Sequence, residues 1–350
     1  MSISIPMFKR AISALLFSAG LLLVSPFASA QNKAYTVTSS DGVPIAVQES
    51  GNPDGPPIIF IHGLLGSRLN WDAQVQSTQL QRFRLITYDM RGHGLSGKPV
   101  DAASYTDGRR WADDLAAVID AAQAGGQAEV QSSTQSITQP GGLVGDQARN
   151  QARDQPHHQA HAQAHDQSTK HPSKPVLVGW SLGGVVISNY LAKYGDGRIA
   201  GAMYVNGVIE MKPDQIVSHP TIYRDLVSPD LKTHLDTVRD FLRLCFHTQP
   251  DAPLFERLLA NAAMASWDMQ RAVMSISVEA AEGLGNARVP LLLLYGERDA
   301  LVQARPAIAR AQQLRPGIQS ELYAESGHAP FLEEATRFNA DLSAFVDAIR

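Results

Sequence analysis

The chain has 350 residues, 44% of them hydrophobic and 18% charged, with a formal net charge of −4. That balance excludes a fibrous or wholly disordered protein and leaves enough apolar content for one sizeable α/β domain plus insertions. No Lys/Arg cluster interleaved with aromatics offers a phosphate-binding stripe, so nucleic acid is not expected as a partner, and the single cysteine, Cys245, excludes an intramolecular disulfide.

Residues 1–30 place Lys9 and Arg10 ahead of an apolar stretch from 11 to 24, then a break at Ser25 and Pro26, then Ala28-Ser29-Ala30 before Gln31. This is the pattern of a secretory signal peptide. The apolar stretch is shorter than the roughly 20 residues of a membrane span, so cleavage is expected rather than retention as an anchor. The mature product is then exported, periplasmic or secreted, without stable membrane insertion.

Residues 35–38 and 43–49 read as two antiparallel strands at a sheet edge, joined by the turn-prone Ser39-Ser40-Asp41-Gly42. Residues 57–61 and 84–88 are short apolar runs of the kind buried in parallel sheets. Trp111, Leu115, Val118, Ile119 and Ala122 then recur at helical spacing. From about residue 123 to 174 the composition shifts to Gln, Ala, Ser, His and Gly, which cannot bury enough apolar surface to offset chain entropy. This span is expected to be a disordered, low-complexity insertion. Its His161 and His165 have the i, i+4 spacing of a helical metal pair, but no cysteine accompanies them, and a linker is the simpler reading.

After the insertion, the apolar Val176-Leu177-Val178 runs into Gly179-Trp180-Ser181-Leu182-Gly183 and a helix-like stretch over 184–191. Strand, serine, helix is the order that matters. Glycines on both sides let the backbone turn sharply and leave the hydroxyl exposed at the tip of a nucleophile elbow. Residues 199–205 read as another buried strand. Residues 211–285 are mainly helical and too long for an ordinary connection, so they are expected to form a helical cap over the strand C-termini. Its large apolar residues are Phe241, Leu242, Leu244, Phe246, Phe255, Leu258, Leu259, Met264, Trp267 and Met269; most should pack the cap itself, with a minority facing substrate. Residues 291–295 and 320–323 supply two more strands, and 338–349 a closing amphipathic helix. Alternating strands and helices predict an α/β fold, a mostly parallel sheet covered on both faces, with its site at the strand C-termini.

A serine hydroxyl is a poor nucleophile until a base takes its proton and a carboxylate orients that base. Asp299 follows the strand at 291–295, with Glu297 as the rival carboxylate in the same loop, and His328 follows the strand at 320–323. The chain order Ser181, Asp299, His328 is that of the α/β-hydrolase arrangement.

Four blocks carry a resemblance to the α/β-hydrolase superfamily over almost the whole mature chain outside the insertion. They are Ile61-His62-Gly63-Leu64-Leu65-Gly66, Tyr88-Asp89-Met90-Arg91-Gly92-His93-Gly94-Leu95-Ser96, the elbow, and the Asp299 and His328 loops. The resemblance implies Ser181 as nucleophile, His328 as general base and then acid, Asp299 as the orienting group, and backbone N–H groups of Leu64 and Leu182 as an oxyanion hole. It implies organising rather than catalytic roles for His62, His93, Asp89 and Arg91, while Trp180 is expected to pack beneath the elbow.

Serine at the elbow argues against the dehalogenase and epoxide-hydrolase branches, whose chemistry needs a carboxylate nucleophile. The best reading is a serine esterase acting on a small acyl substrate with an apolar portion, needing no metal or organic cofactor. The blocks also resemble the cofactor-free haloperoxidase and perhydrolase group, which passes an acyl group to peroxide. A fold retained only for binding is the third reading.

Overall fold

The computed structural model describes residues 32–124 and 173–350. The expected signal segment and almost all of the low-complexity insertion lie outside the described residues. Eight strands form one sheet: β1 (Lys33–Thr38), β2 (Pro44–Gly51), β3 (Pro57–Ile61), β4 (Arg84–Tyr88), β5 (Val176–Trp180), β6 (Gly201–Val205), β7 (Leu291–Gly296) and β8 (Gln319–Tyr323). Their spatial order is β1-β2-β4-β3-β5-β6-β7-β8. β2 pairs antiparallel with both β1 and β4, and every pairing from β4 through β8 is parallel. The edge hairpin and the parallel body are those expected from the sequence.

The interior strands β3, β5, β6 and β7 are buried at every position. Covered on both faces, they can be apolar throughout, and this is why they read as continuous apolar runs, rich in Ile, Leu and Val in β3, β5 and β7, rather than alternating ones. Each such side chain contributes about 1.5–3 kcal/mol on burial. The helix Gly108–Gln123 begins at Asp107, whose side chain accepts from Arg109 N, and buries Trp111, Leu115, Val118 and Ile119. It packs against the helix Leu182–Tyr194 that follows the elbow.

Several boundaries shift by one to three residues from expectation. β6 begins at Gly201 rather than 199, because Ile199 N donates to Asp196 O and holds that residue in a turn. A helix at Ala304–Leu314 was not anticipated. Between β6 and β7 the chain folds as four helices, Pro220–Asp225, Leu231–Leu244, Ala252–Ala262 and Trp267–Val273. The last three start at side-chain caps from Asp230, Asp251 and Ser266. Among the described residues no helix is long and apolar enough to cross a membrane.

Candidate active site

β5 lies between β3 and β6, so the residue after it stands at the centre of the sheet's C-terminal edge. That residue is Ser181. Its backbone adopts φ +55° and ψ −114°, a conformation rare for a side-chain-bearing residue and stored only where the surroundings over-determine it. They do so here: Ser181 N donates to Val205 O at 3.0 Å, and Ser181 O accepts from Gly184 N at 2.9 Å and Val208 N at 3.0 Å. The glycines are required by close approach. A Cβ at Gly179 would lie 2.6 Å from Gly183 O, and one at Gly183 would lie 2.6 Å from Ile61 O.

His328 and Asp299 meet in the loops after β8 and β7. His328 Nδ1 donates to Asp299 Oδ2 at 2.7 Å, with only 2% and 1% of the two side chains exposed. A neutral ring donating from Nδ1 keeps its acceptor lone pair on Nε2. Asp299 Oδ1 accepts from the N–H groups of Leu301 and Val302 at 2.7 and 3.0 Å, which sets the plane of the carboxylate. The rival Glu297 turns instead to Arg305 at the surface. Trp180 is buried and donates from Nε1 to His328 O at 2.7 Å, so it braces the His328 loop.

Leu64 and Leu182 both line a cavity with Ser181. Neither of their N–H groups donates to another group among the described residues. Leu182 opens its helix, where the first amides have no intrahelical acceptor. Gly63 lets the Leu64 loop approach, since a Cβ there would stand 3.0 Å from both Ser181 Cβ and the Trp180 ring.

The cavity encloses about 540 Å³, counted out to its open mouth. Val208, Met211, Ile216, Tyr223, Phe241, Val273, Met274, Ile276, Leu301 and Val302 complete an almost wholly apolar wall. Phe241 is the only one of the ten large apolar cap residues picked out in the sequence that lines it. Burial, reinforced by the charge of Asp299, pushes the Tyr223 hydroxyl up to about 12, so it remains a neutral phenol. Burial pushes the Cys245 thiol up, away from the reactive thiolate.

His62, His93, Asp89 and Arg91 organise the loops around this cavity. His62 Nδ1 donates to Gly63 O at 2.8 Å, and its Nε2 accepts from Met90 N at 2.9 Å. Asp89 accepts from Arg68 N and Leu95 N, each at 2.8 Å. Arg91 is fully buried in a fork onto Asp114, both bonds 2.7 Å, and reaches Asp41 at 2.9 Å.

Two polar residues beside the site were not singled out in the sequence. Asn206, at the end of β6, donates from Nδ2 to Asp299 Oδ2 at 2.7 Å. Glu333 accepts from Gly327 N at 2.8 Å through Oε1, and from His247 N and Thr248 N at 2.9 and 2.8 Å through Oε2. It ties the His328 loop to the segment between β6 and β7. The available signal for Asn206 was its place after the strand between those leading to Ser181 and Asp299; Glu333 offered none.

An elbow serine at a central strand end, a buried histidine and carboxylate pair on neighbouring strand ends, and helices inserted above them define an α/β hydrolase. Residues 56–335 match the alpha/beta hydrolase fold family, and the chain belongs to that family as an enzyme of carboxylesterase-like type. A solved structure from Burkholderia cenocepacia, of a protein assigned as an aryl esterase, is 60% identical, with a TM-score of 0.76 over 91% of this chain and 99% of that one. The bifunctional esterase/perhydrolase DCH of Acinetobacter calcoaceticus is 25% identical over 89% of this chain and 98% of its own length. A stretch of 89 residues is 44% identical to EphD of Mycobacterium tuberculosis, assigned as an oxidoreductase; it covers 25% of this chain and only 15% of that protein.

Proposed function

We propose that the chain is an exported serine hydrolase that cleaves carboxylic esters with an apolar acyl or alcohol portion through an acyl-enzyme. The observation that carries this reading is Ser181 in the wall of an apolar cavity, next in sequence to Trp180, which donates to His328 O, with His328 in turn paired to the buried Asp299. The printed names of the Burkholderia and Acinetobacter proteins support it, and the first thirty residues support export.

Ser181 Oγ attacks the acyl carbon while His328 Nε2 takes the hydroxyl proton, forming a tetrahedral oxyanion. The N–H groups of Leu64 and Leu182 receive that charge; one such donor is worth about 3–4 kcal/mol of transition-state stabilisation. Asp299 holds the imidazole in its Nδ1–H form and stabilises the imidazolium. Collapse expels the alcohol, which takes the proton from His328. Water then attacks the acyl carbon as it loses a proton to His328, and collapse breaks the bond to Ser181 Oγ, which recovers the proton from His328 as the acid leaves.

The test is rapid mixing with p-nitrophenyl esters of increasing acyl length, followed by intact-protein mass and peptide mapping. A burst of p-nitrophenol with the acyl mass on the Ser181 peptide is expected. Turnover without any acyl adduct on Ser181 would sink the reading. Acyl transfer to peroxide is the second reading, favoured by the Acinetobacter relative; a rate gain on adding hydrogen peroxide, with peracid as product, would establish it.

The cavity makes a separate prediction. Val208→Phe narrows it and is expected to lower kcat/KM for phenyl acetate or ethyl octanoate at least about tenfold more than for ethyl acetate, the scale of discrimination that a few methylenes provide. Equal losses on all three esters would show that the cavity does not receive the apolar group.

A further inference from the structure

We infer that Asn206 is a positioning residue of this site: its one side-chain amide sets the carboxylate that orients His328 together with the peptide that delivers it. The inference rests on the hydrolase reading above. Asn206 is fully buried and stands at φ +44°, a backbone conformation that asparagine tolerates better than most residues. Its Nδ2 donates to Asp299 Oδ2 at 2.7 Å and to Gly327 O at 3.3 Å, and its Oδ1 accepts from Gly296 N at 3.2 Å. Its own N–H donates to Leu294 O at 2.8 Å, locking β6 to β7 directly below.

The oxygen it holds is the one that receives His328 Nδ1. Asp299 Oδ2 therefore sits between two donors. The carbonyl it holds belongs to the residue before His328, whose N–H is held by Glu333. Gly327 is thus held at both its N–H and its carbonyl, and a Cβ there would lie 2.6 Å from His247 N, so it has no room to shift. With Trp180 bonded to His328 O, the imidazole has fixed attachments before, after and at its ring.

Two consequences separate this role from general structural support. Removing the amide leaves Asp299 Oδ2 more basic, which favours the imidazolium, so the acid limb of kcat/KM moves to higher pH. It also frees the ring to drift, and misplacement of the order of 1 Å costs about 10²-fold in rate with little change in substrate binding. Asn206→Gly removes the amide while accepting the positive φ. Asn206→Asp keeps the shape and the acceptor for Gly296 N but cannot donate, and it brings a second negative charge beside Asp299.

The experiment measures pH profiles of p-nitrophenyl ester hydrolysis by wild type and both variants, each normalised per active site by titration with a p-nitrophenyl alkylphosphonate. Expected are kcat down about 10²-fold with KM within about twofold, and an acid limb raised in Asn206→Gly and raised further, by roughly one unit, in Asn206→Asp. An acid limb that stays in place or moves down in both variants overturns the proposal, whatever happens to the yield of folded enzyme. A wild-type enzyme that hydrolyses no ester would instead remove the hydrolase reading on which the inference stands.

Discussion

Ser181→Ala is expected to lower kcat for ester hydrolysis by about 10⁶-fold, because a nucleophile and its base act as a unit and losing either removes nearly all of their joint effect. Binding of the apolar portion should persist, since the cavity wall is untouched. Ser181 already carries the unusual φ of +55°, and alanine inherits the same backbone. Folding stability should therefore stay close to wild type, which separates chemistry from structure in a thermal melt of the same sample. Two companion variants locate the rest of the machinery. Asp299→Asn should cost about 10⁴-fold in kcat, because an amide neither stabilises the imidazolium nor favours the Nδ1–H tautomer. Glu297→Gln should remain within about twofold, since Glu297 is engaged by Arg305 at the surface. Residual turnover in Ser181→Ala above about one hundredth of wild type would remove the serine from the mechanism. Equal losses at Asp299 and Glu297 would leave the orienting acid unassigned.

The elbow was legible in the sequence because its geometry demands a local composition: small residues on both sides of a serine, an apolar strand before and a helix after. Asp299 and His328 were legible because each follows a segment that reads as a strand, and a parallel sheet brings strand ends to one edge. Asn206 meets the same positional rule, yet an asparagine after a strand is also an ordinary turn residue, and only the pairing of β6 with both β5 and β7 reveals what it faces. Glu333 grips amides 86 and 85 residues away, a relation that no local pattern encodes. The cavity wall was least legible. Its residues come from the Leu64 loop, the elbow, the helical segment and the Asp299 loop, joined by Val217 N bonding to Leu301 O and Gln303 N to Gln215 O. Apolar spacing within each helix reports burial, and burial against a neighbour looks the same as burial around a substrate.

Acid is expected to destabilise the fold steeply, and the two histidines of the loops beside the site are the reason. Burial holds His62 down to about 4, and burial together with His62 itself holds His93 down to about 3, against 6.5 for an ordinary histidine. The hydrogen bonds explain why protons are refused. His62 Nε2 accepts from Met90 N, so protonating it sets two donors against each other. His93 Nδ1 lies 3.0 Å from Arg91 O, while its Nε2 is buried without a partner, 4.9 Å from the His62 ring by centroids. A charge there would have neither water nor an acceptor. Both folded-state values lie below the unfolded one, so as pH falls from about 6.5 the unfolded chain takes up protons that the folded chain declines. The stabilisation is fully present above that pH and is lost progressively toward pH 4 for His62 and pH 3 for His93. Depressions of this size correspond to about 3 kcal/mol for His62 and about 5 kcal/mol for His93, against a total stability of about 5–15 kcal/mol for a typical domain. Urea unfolding at a series of pH values should show the midpoint falling steeply between pH 6.5 and 4. In His93→Phe, which cannot take up a proton in either state, the slope of stability against pH in that window should be smaller by about one proton. An unchanged slope in that variant would place the acid sensitivity elsewhere, and a flat wild-type profile would mean that both rings accept protons within the folded protein.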